Sequence, residues 1–390
     1  MVTQRRSTTT DEVADVVLTT LCSHPHVDVA GLGKRWAGLS TTGLAALTEY
    51  EGSVLWLHRR LGDLKLLDSV PPPFVEWLSA RARRLAARNL LVDAQRDELV
   101  AMLNDLSVPH VLLKGAAWRL VADRYPYADA RVTTDVDVLV PEQLARPTWE
   151  RLRGAGFATP SGQTAQYAAH FHLPPLANGR AVKVELHTST SDYLAAPLAW
   201  RRFDRSAQVA SCGGGATRVP AATELFWHAI THAPLPEPYA FRLRFFQDAA
   251  VGWTAGTEID WNEIATRLGS AELPDGALAR RWVGGAARLS GAAAAVGGIG
   301  PAPALDLTRA LSWRLTVFRL LGPRRTAGPV WGPQAMRRGR RLLIDAGVRA
   351  ELGLPASAPG HGTPLDRLGR HLAVRLARAC HRTWRVLNRR

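Results

Sequence analysis

Residues 131–143, RVTTDVDVLVPEQ, set two aspartates into what otherwise has the pattern of a buried strand. Val136, Val138 and Val140 alternate with Asp135, Asp137 and Leu139, and a period of two puts both carboxylates on one face. Like charges two residues apart on a strand repel, and the strand itself gains nothing from them. The pair needs a partner of opposite charge.

A second stretch supplies a third acid instead. In RAVKVELHTS (180–189), Val182, Val184 and Leu186 alternate with Lys183, Glu185 and His187, so Glu185 stands on a polar face. If this strand pairs near the first, three carboxylates converge, which is costly unless a divalent cation neutralises them. Hard oxygen ligands with open positions suit Mg²⁺, which commonly also takes oxygens from a substrate's phosphates. Asp135, Asp137 and Glu185 are therefore the expected metal ligands.

Upstream, HVLLKGAAWRLVADRY (110–125) reads as a strand, Val111 to Leu113, running through Lys114 and Gly115 into a helix. Glycine at such a corner allows a close approach to the backbone, and helix amides there face any anion present; the plain alternative is a tight strand-to-helix turn. Lysine is scarce in this chain: four lysines stand against 49 − 4 = 45 arginines. That one of the four sits here favours a phosphate contact, which a compact point charge suits.

Four stretches follow from the wider pattern. Residues 1–107 read as helical, with Leu78, Leu85, Val92, Leu99, Leu103 and Leu106 near one stripe of a long helix that prolines 71 to 73 begin. Residues 108–195 alternate short β-rich runs with single helices, as an α/β unit does. Residues 196–300 are expected to be a helical region whose end, GGAARLSGAAAAVGGIGPAPA (284–304), passes into a small-residue linker. Residues 301–390 are a basic helical tail. In DRLGRHLAVRLARACHRTWRVLNRR (366–390), Leu368, Leu372, Val374, Leu376, Trp384 and Leu387 lie among many arginines. Such a helix either docks on the protein with its charges solvated or meets an anionic partner.

Composition excludes some classes. Three cysteines without a CxxC support neither a disulfide framework nor a thiolate zinc site. The N-terminal residues lack the apolar run of a signal peptide, and no segment offers the ~18 apolar residues of a spanning helix. A cytoplasmic protein, not a transmembrane one, is expected. The formal charge of +15 attracts phosphates, nucleic acid or an anionic membrane and does not choose among them. The arginine bias, with abundant Ala, Gly and Pro, also looks like GC-rich coding.

The order LKG, then Arg131 and DVD, then VELH resembles the uncharacterised nucleotidyltransferase family of bacteria, within the DNA polymerase β-like nucleotidyltransferase superfamily. LLVDAQRDELVAMLNDLSVPHVLLKGAA upstream, and PAATELFWHAITHA, LRFFQDAAVGW and IDWNEIATRLG downstream, extend the resemblance over roughly residues 40–290. It implies an α+β fold, a small nucleotidyltransferase-type mixed sheet with helices, flanked by N- and C-terminal helical segments. It implies transfer of a nucleoside monophosphate from an NTP donor to a hydroxyl acceptor. Two Mg²⁺ ions ~3.5–4 Å apart would serve that chemistry. Asp135 and Asp137 would bind both ions. Glu185 would be the third acid, near the acceptor. Lys114 and Gly115 would cradle the nucleotide phosphates, and Arg131 would be a phosphate or positioning contact. His187, Asp248, His228 and His232 are polar positions without an assigned role. Ala116 stands where the superfamily usually has serine after the glycine, and the run from Gly115 to Asp135 is long.

The acceptor stays open among small molecules, peptides and RNA, with natural-product tailoring suggested only by association. Two rival readings remain: a non-catalytic module of the same fold that binds RNA or a membrane surface, and transfer of a sugar phosphate from a nucleotide sugar. The HAITH helix (228–232) has zinc-protease spacing but Ala229 in place of the required glutamate, so its histidines read as packed or solvated. His170 and His172 share a strand face and either touch substrate or are structural. The thirteen tryptophans read as core or interface anchors.

Overall fold

The structure, a computed structural model, describes residues 9–321 except 22–26, 122–126, 160–169, 181, 192–193, 233–241, 255–258, 271–272, 274 and 291–305. The basic helix expected in the tail, and most of the expected linker, lie outside the described residues.

Prolines 72 and 73 sit in the first turn of the longest helix, where their missing amides cost nothing, and α5 then runs from Pro72 to Asp105. At 1.5 Å per residue its 34 residues reach about 50 Å. That length lets it join two bodies. Phe74, Leu78 and Ala82 at its start belong to a helical core; Val92, Leu99, Val100 and Leu103 further along belong to the core beneath a sheet.

Four strands build that sheet: β1 (Val111–Leu112), β2 (Asp135–Leu139), β3 (Leu176–Ala177) and β4 (Lys183–His187), in the order β1-β2-β4-β3. β2 and β4 are parallel neighbours, and the outer two strands pair antiparallel to them. Two helices belong to this unit, α6 (Lys114–Leu120) and α7 (Glu142–Gly154). The expected alternation is present. Val136, Val138 and Val140 face Val92, Leu99, Trp149 and Leu152 in one packed layer. On the other face Leu139 meets Val111, Leu113 and Phe203, the last from α8 (Ala196–Ser206), and the aspartates are left to a cleft. This is the α+β mixed sheet with flanking helices that the sequence implied.

The stretch expected to be helical from residue 196 carries an addition. β5 (Gln208–Cys212) and β6 (Gly215–Val219) form a separate antiparallel hairpin that packs on α5 and β1. Gly213 and Gly214 between two short runs are a hairpin signal that the helical reading passed over.

The helical body draws on both ends of the chain. α1 (Thr10–Leu21), α2 (Val29–Ala37), α3 (Leu44–Glu51) and α4 (Val54–Asp63) come from the first stretch. α9 (Ala222–His232), α10 (Leu243–Thr254), α11 (Trp261–Leu268), α12 (Gly276–Ser290) and α13 (Leu307–Leu321) come from after the sheet. α1 lies along α13, and both sets share one core in which Trp36, Trp56, Trp227 and Trp282 are fully buried. Glu51 at the end of α3 ties the sets together. It pairs with Arg314 of α13 at 2.8 Å and accepts the Leu243 amide of α10 at 2.8 Å. Among the described residues no helix is long and apolar enough to cross a membrane.

Candidate active site

The register of β2 on β4 creates the site. Asp135 lies opposite Lys183, and Asp137 lies opposite Glu185, so the second aspartate and the glutamate project from adjacent strands into one space. His187 follows two residues on, on the same face of β4. Asp137 is the hub of this cluster and is almost fully buried. Its Oδ1 accepts from Lys114 Nζ at 2.6 Å and from His187 Nε2 at 2.8 Å. The His187 Nδ1 on the far side of the ring is buried without a hydrogen-bond partner among the described residues.

Charge separates the acids. Burial alone would push the Asp137 carboxyl up, but the Lys114 charge and the His187 hydrogen bond outweigh it and hold the group well below the usual carboxylate range. Asp135 has no such pair of donors: burial, and then the charge of Asp137, push its carboxyl up to about 6. Glu185 is pulled down; burial opposes this, and His187 and Lys114 overcome it. His172 stands 3.8 Å from Glu185 Oε2 through Nε2, while its Nδ1 is 2.8 Å from the Leu173 carbonyl. That contact fixes the proton on Nδ1 and turns the lone pair of Nε2 toward a carboxylate. Burial, and then the neighbouring His187, push the His172 pKa down to about 4.

This donor set fits a divalent cation. Asp137, Glu185 and His187 each bring a ligand atom to within 4.8 Å of the others. A carboxylate facing an imidazole lone pair, beside an aspartate whose ionisation is opposed, is an arrangement that a cation relieves. The imidazole was not among the ligands expected from the sequence. Its signal was present all the same, because His187 continues the alternation that exposed Glu185.

Gly115 has a structural explanation. A Cβ there would lie 2.5 Å from Arg131 Nη1 and 2.5 Å from Thr133 Cγ2, so only glycine lets the loop before β2 pass so close. Lys114 itself holds a left-handed φ of 47°. Asn89 of α5 braces the same loop, donating to the Arg131 carbonyl at 2.8 Å and accepting the Thr133 amide at 3.0 Å. Arg131 makes a two-pronged ion pair with Asp248 of α10, at 2.6 and 2.9 Å. The Asp248 position therefore has a partner that sequence reasoning did not supply.

Together these groups floor a cleft of about 250 Å³. Lys114, Arg131, Asp135, Asp137 and Glu185 all line it, as do His170 and His172. The helical body completes the lining through His232 of α9 and Arg244 of α10. The two HAITH histidines stack edge to face at 5.7 Å, and only the second reaches the cleft. Arg244 was not anticipated: one arginine among so many carries no distinguishing pattern.

Residues 41–279 match the family model described as uncharacterised nucleotidyltransferase. The chain belongs to that family. The match runs from just before α3 into the first turn of α12, so membership covers every residue that lines the cleft, and the enzyme is a nucleotidyltransferase. No protein of curated function matches the chain.

Proposed function

We propose that this nucleotidyltransferase moves a nucleoside monophosphate from an NTP to a hydroxyl acceptor with Mg²⁺ in the β2–β4 cluster. The observation that carries the reading is the register that sets Asp137 opposite Glu185, with Asp135 on the same face of β2 and all three lining one cleft. Asp135, Asp137 and Glu185 would hold the ions, two by analogy with the superfamily, with His187 beside them as a hydrogen-bond donor to Asp137. When bound, such ions neutralise phosphate charge and favour the ionised acceptor hydroxyl.

The remaining work falls to the chain. Glu185 would take the acceptor's proton. His187 fixes the Asp137 carboxylate in orientation by its hydrogen bond. Lys114 and Arg131 bring positive charge to the cleft beside the donor's phosphates, and Gly115 lets their loops meet. The acceptor would be a small molecule, a peptide or RNA. The basic composition favours an anionic partner for the tail.

The test incubates the full chain with Mg²⁺, each labelled NTP in turn and cell extract as acceptor source. Label should move to a product with the wild type and fail to move with Asp137→Asn and Glu185→Gln. No transfer from any NTP by the folded wild type would overturn the reading.

A further inference from the structure

Three cations line the cleft, and two are already committed. Lys114 Nζ is bonded to Asp137, and Arg131 is bonded twice to Asp248. The third, Arg244, makes no hydrogen bond or ion pair with any described residue; its guanidinium only stacks near the adjacent Phe245 ring, 5.1 Å from the centroid. Its root, by contrast, is clamped. Gly52, the left-handed cap of α3 at φ 68°, leaves space that the Arg244 stem fills. A Cβ on Gly52 would stand 3.1 to 3.6 Å from Arg244 Cβ, Cδ and Cγ. A fixed stem with an uncommitted head is preorganised for an incoming ligand.

The geometry points to Arg244 as the donor's phosphate contact, a guanidinium delivered by the helical body to the cleft that the acids line. The inference rests on the nucleotidyl-transfer reading and deepens it. The acids gather on one face of the two central strands, β2 and β4, and Arg244 lines the same cleft, so the phosphates of a nucleotide held there come within reach of its guanidinium. A guanidinium grips two phosphate oxygens at once, which an ammonium does not. The site also disfavours an isolated charge: burial, and then the nearby Arg131, hold the Arg244 pKa below its ordinary value. An arriving anion removes that penalty. Asp135 and Asp248 offset it only at a distance, without a bond.

Calorimetry with the full chain tests this, using Mg²⁺ with inorganic tripolyphosphate, a base-free triphosphate, and Mg²⁺ with each NTP. Arg244→Gln keeps Cβ, Cγ and Cδ on Gly52 and removes the charge; Arg244→Met is a second variant with a similar stem. A thermal melt of each confirms the fold. Loss of one charge-assisted contact should weaken both ligand types by about ten- to a hundredfold. The loss should be equal for tripolyphosphate and NTP, because the contact is to phosphate. Unchanged affinity in either folded variant, or a loss confined to NTP, overturns the role of Arg244 and leaves nucleotidyl transfer standing. Failure of the wild type to bind either ligand overturns both.

Discussion

Asp135 and Asp137 are the same residue type two positions apart, and the fold gives them opposite surroundings. Asp137 accepts two hydrogen bonds from cationic or ring donors, while Asp135 meets mostly burial and its neighbour's charge. Their isosteric amides should therefore diverge. Without metal, Asp135→Asn removes an opposed charge and should raise the melting temperature. Asp137→Asn leaves Lys114 buried against a neutral group and should cost about 1–3 kcal/mol. Paired melts in chelator check the contrast; shifts of the same sign would contradict it. Reading the strand alone suggests relief of repulsion for either substitution. The alternation does reveal which residues share a face, and so makes Asp135, Asp137 and Glu185 legible. It does not reveal that a lysine at the start of α6 and a histidine from β4 converge on one oxygen, because that depends on which elements adjoin.

The loop before β2 owes its position to α5. Asn89 satisfies one carbonyl and one amide of residues 131–133, both in a buried setting. Asn89→Ala should cost about 1–3 kcal/mol, since two backbone groups then lose their partner away from water. Urea unfolding measures the loss, and a change within error would mean that the loop is held by the Arg131–Asp248 pair alone. At this scale the long helix was legible from its leucine stripe and its opening prolines. The parallel sense of β2 and β4 was not, since neither strand's sequence encodes a direction. Nor was β3, two residues long, whose identity comes from pairing with β4. Asn89 itself is a polar position in a helix, and nothing local distinguishes it from a solvated one.

The two helical sets behave as one body because buried charges join them. Glu51 and Arg314 are each 1% exposed, 263 positions apart. Glu51→Gln leaves a buried guanidinium without its counter-charge and should cost about 3–5 kcal/mol, read from urea midpoints. A loss below 1 kcal/mol would show that water reaches the pair. Acid should loosen the whole molecule through histidines kept neutral. His110 has Nδ1 2.9 Å from the Val108 carbonyl and Nε2 3.0 Å from the Thr217 hydroxyl, and burial pushes its pKa below the ordinary value. Burial holds His228 lower still. With folded pKa values below unfolded ones, the unfolded chain takes up protons first as pH falls below ~6.5, and stability declines from there. Each such group contributes at most about 1.4 kcal/mol per pH unit. Asp135, with its carboxyl pushed up to about 6, works in the opposite direction over the same range. Urea midpoints at pH 7.5 and 5.5 should fall with acid, and His110→Gln should flatten the fall; an unchanged slope would exclude His110. Helical content at both ends was legible in the sequence, but their union was not, because apolar stripes carry no address.

That union has a cost in time. Ser312 Oγ lies 2.8 Å from Thr10 Oγ1, so α1 finishes packing only when a segment 302 positions later has been made. At ~5–20 residues per second, synthesis alone separates the two by roughly 15–60 s. Through that interval Val13, Val16, Val17 and Leu21, all buried in the finished fold, have no α13 to cover them. The nascent chain therefore carries an uncovered apolar face, prone to aggregation, until α13 arrives.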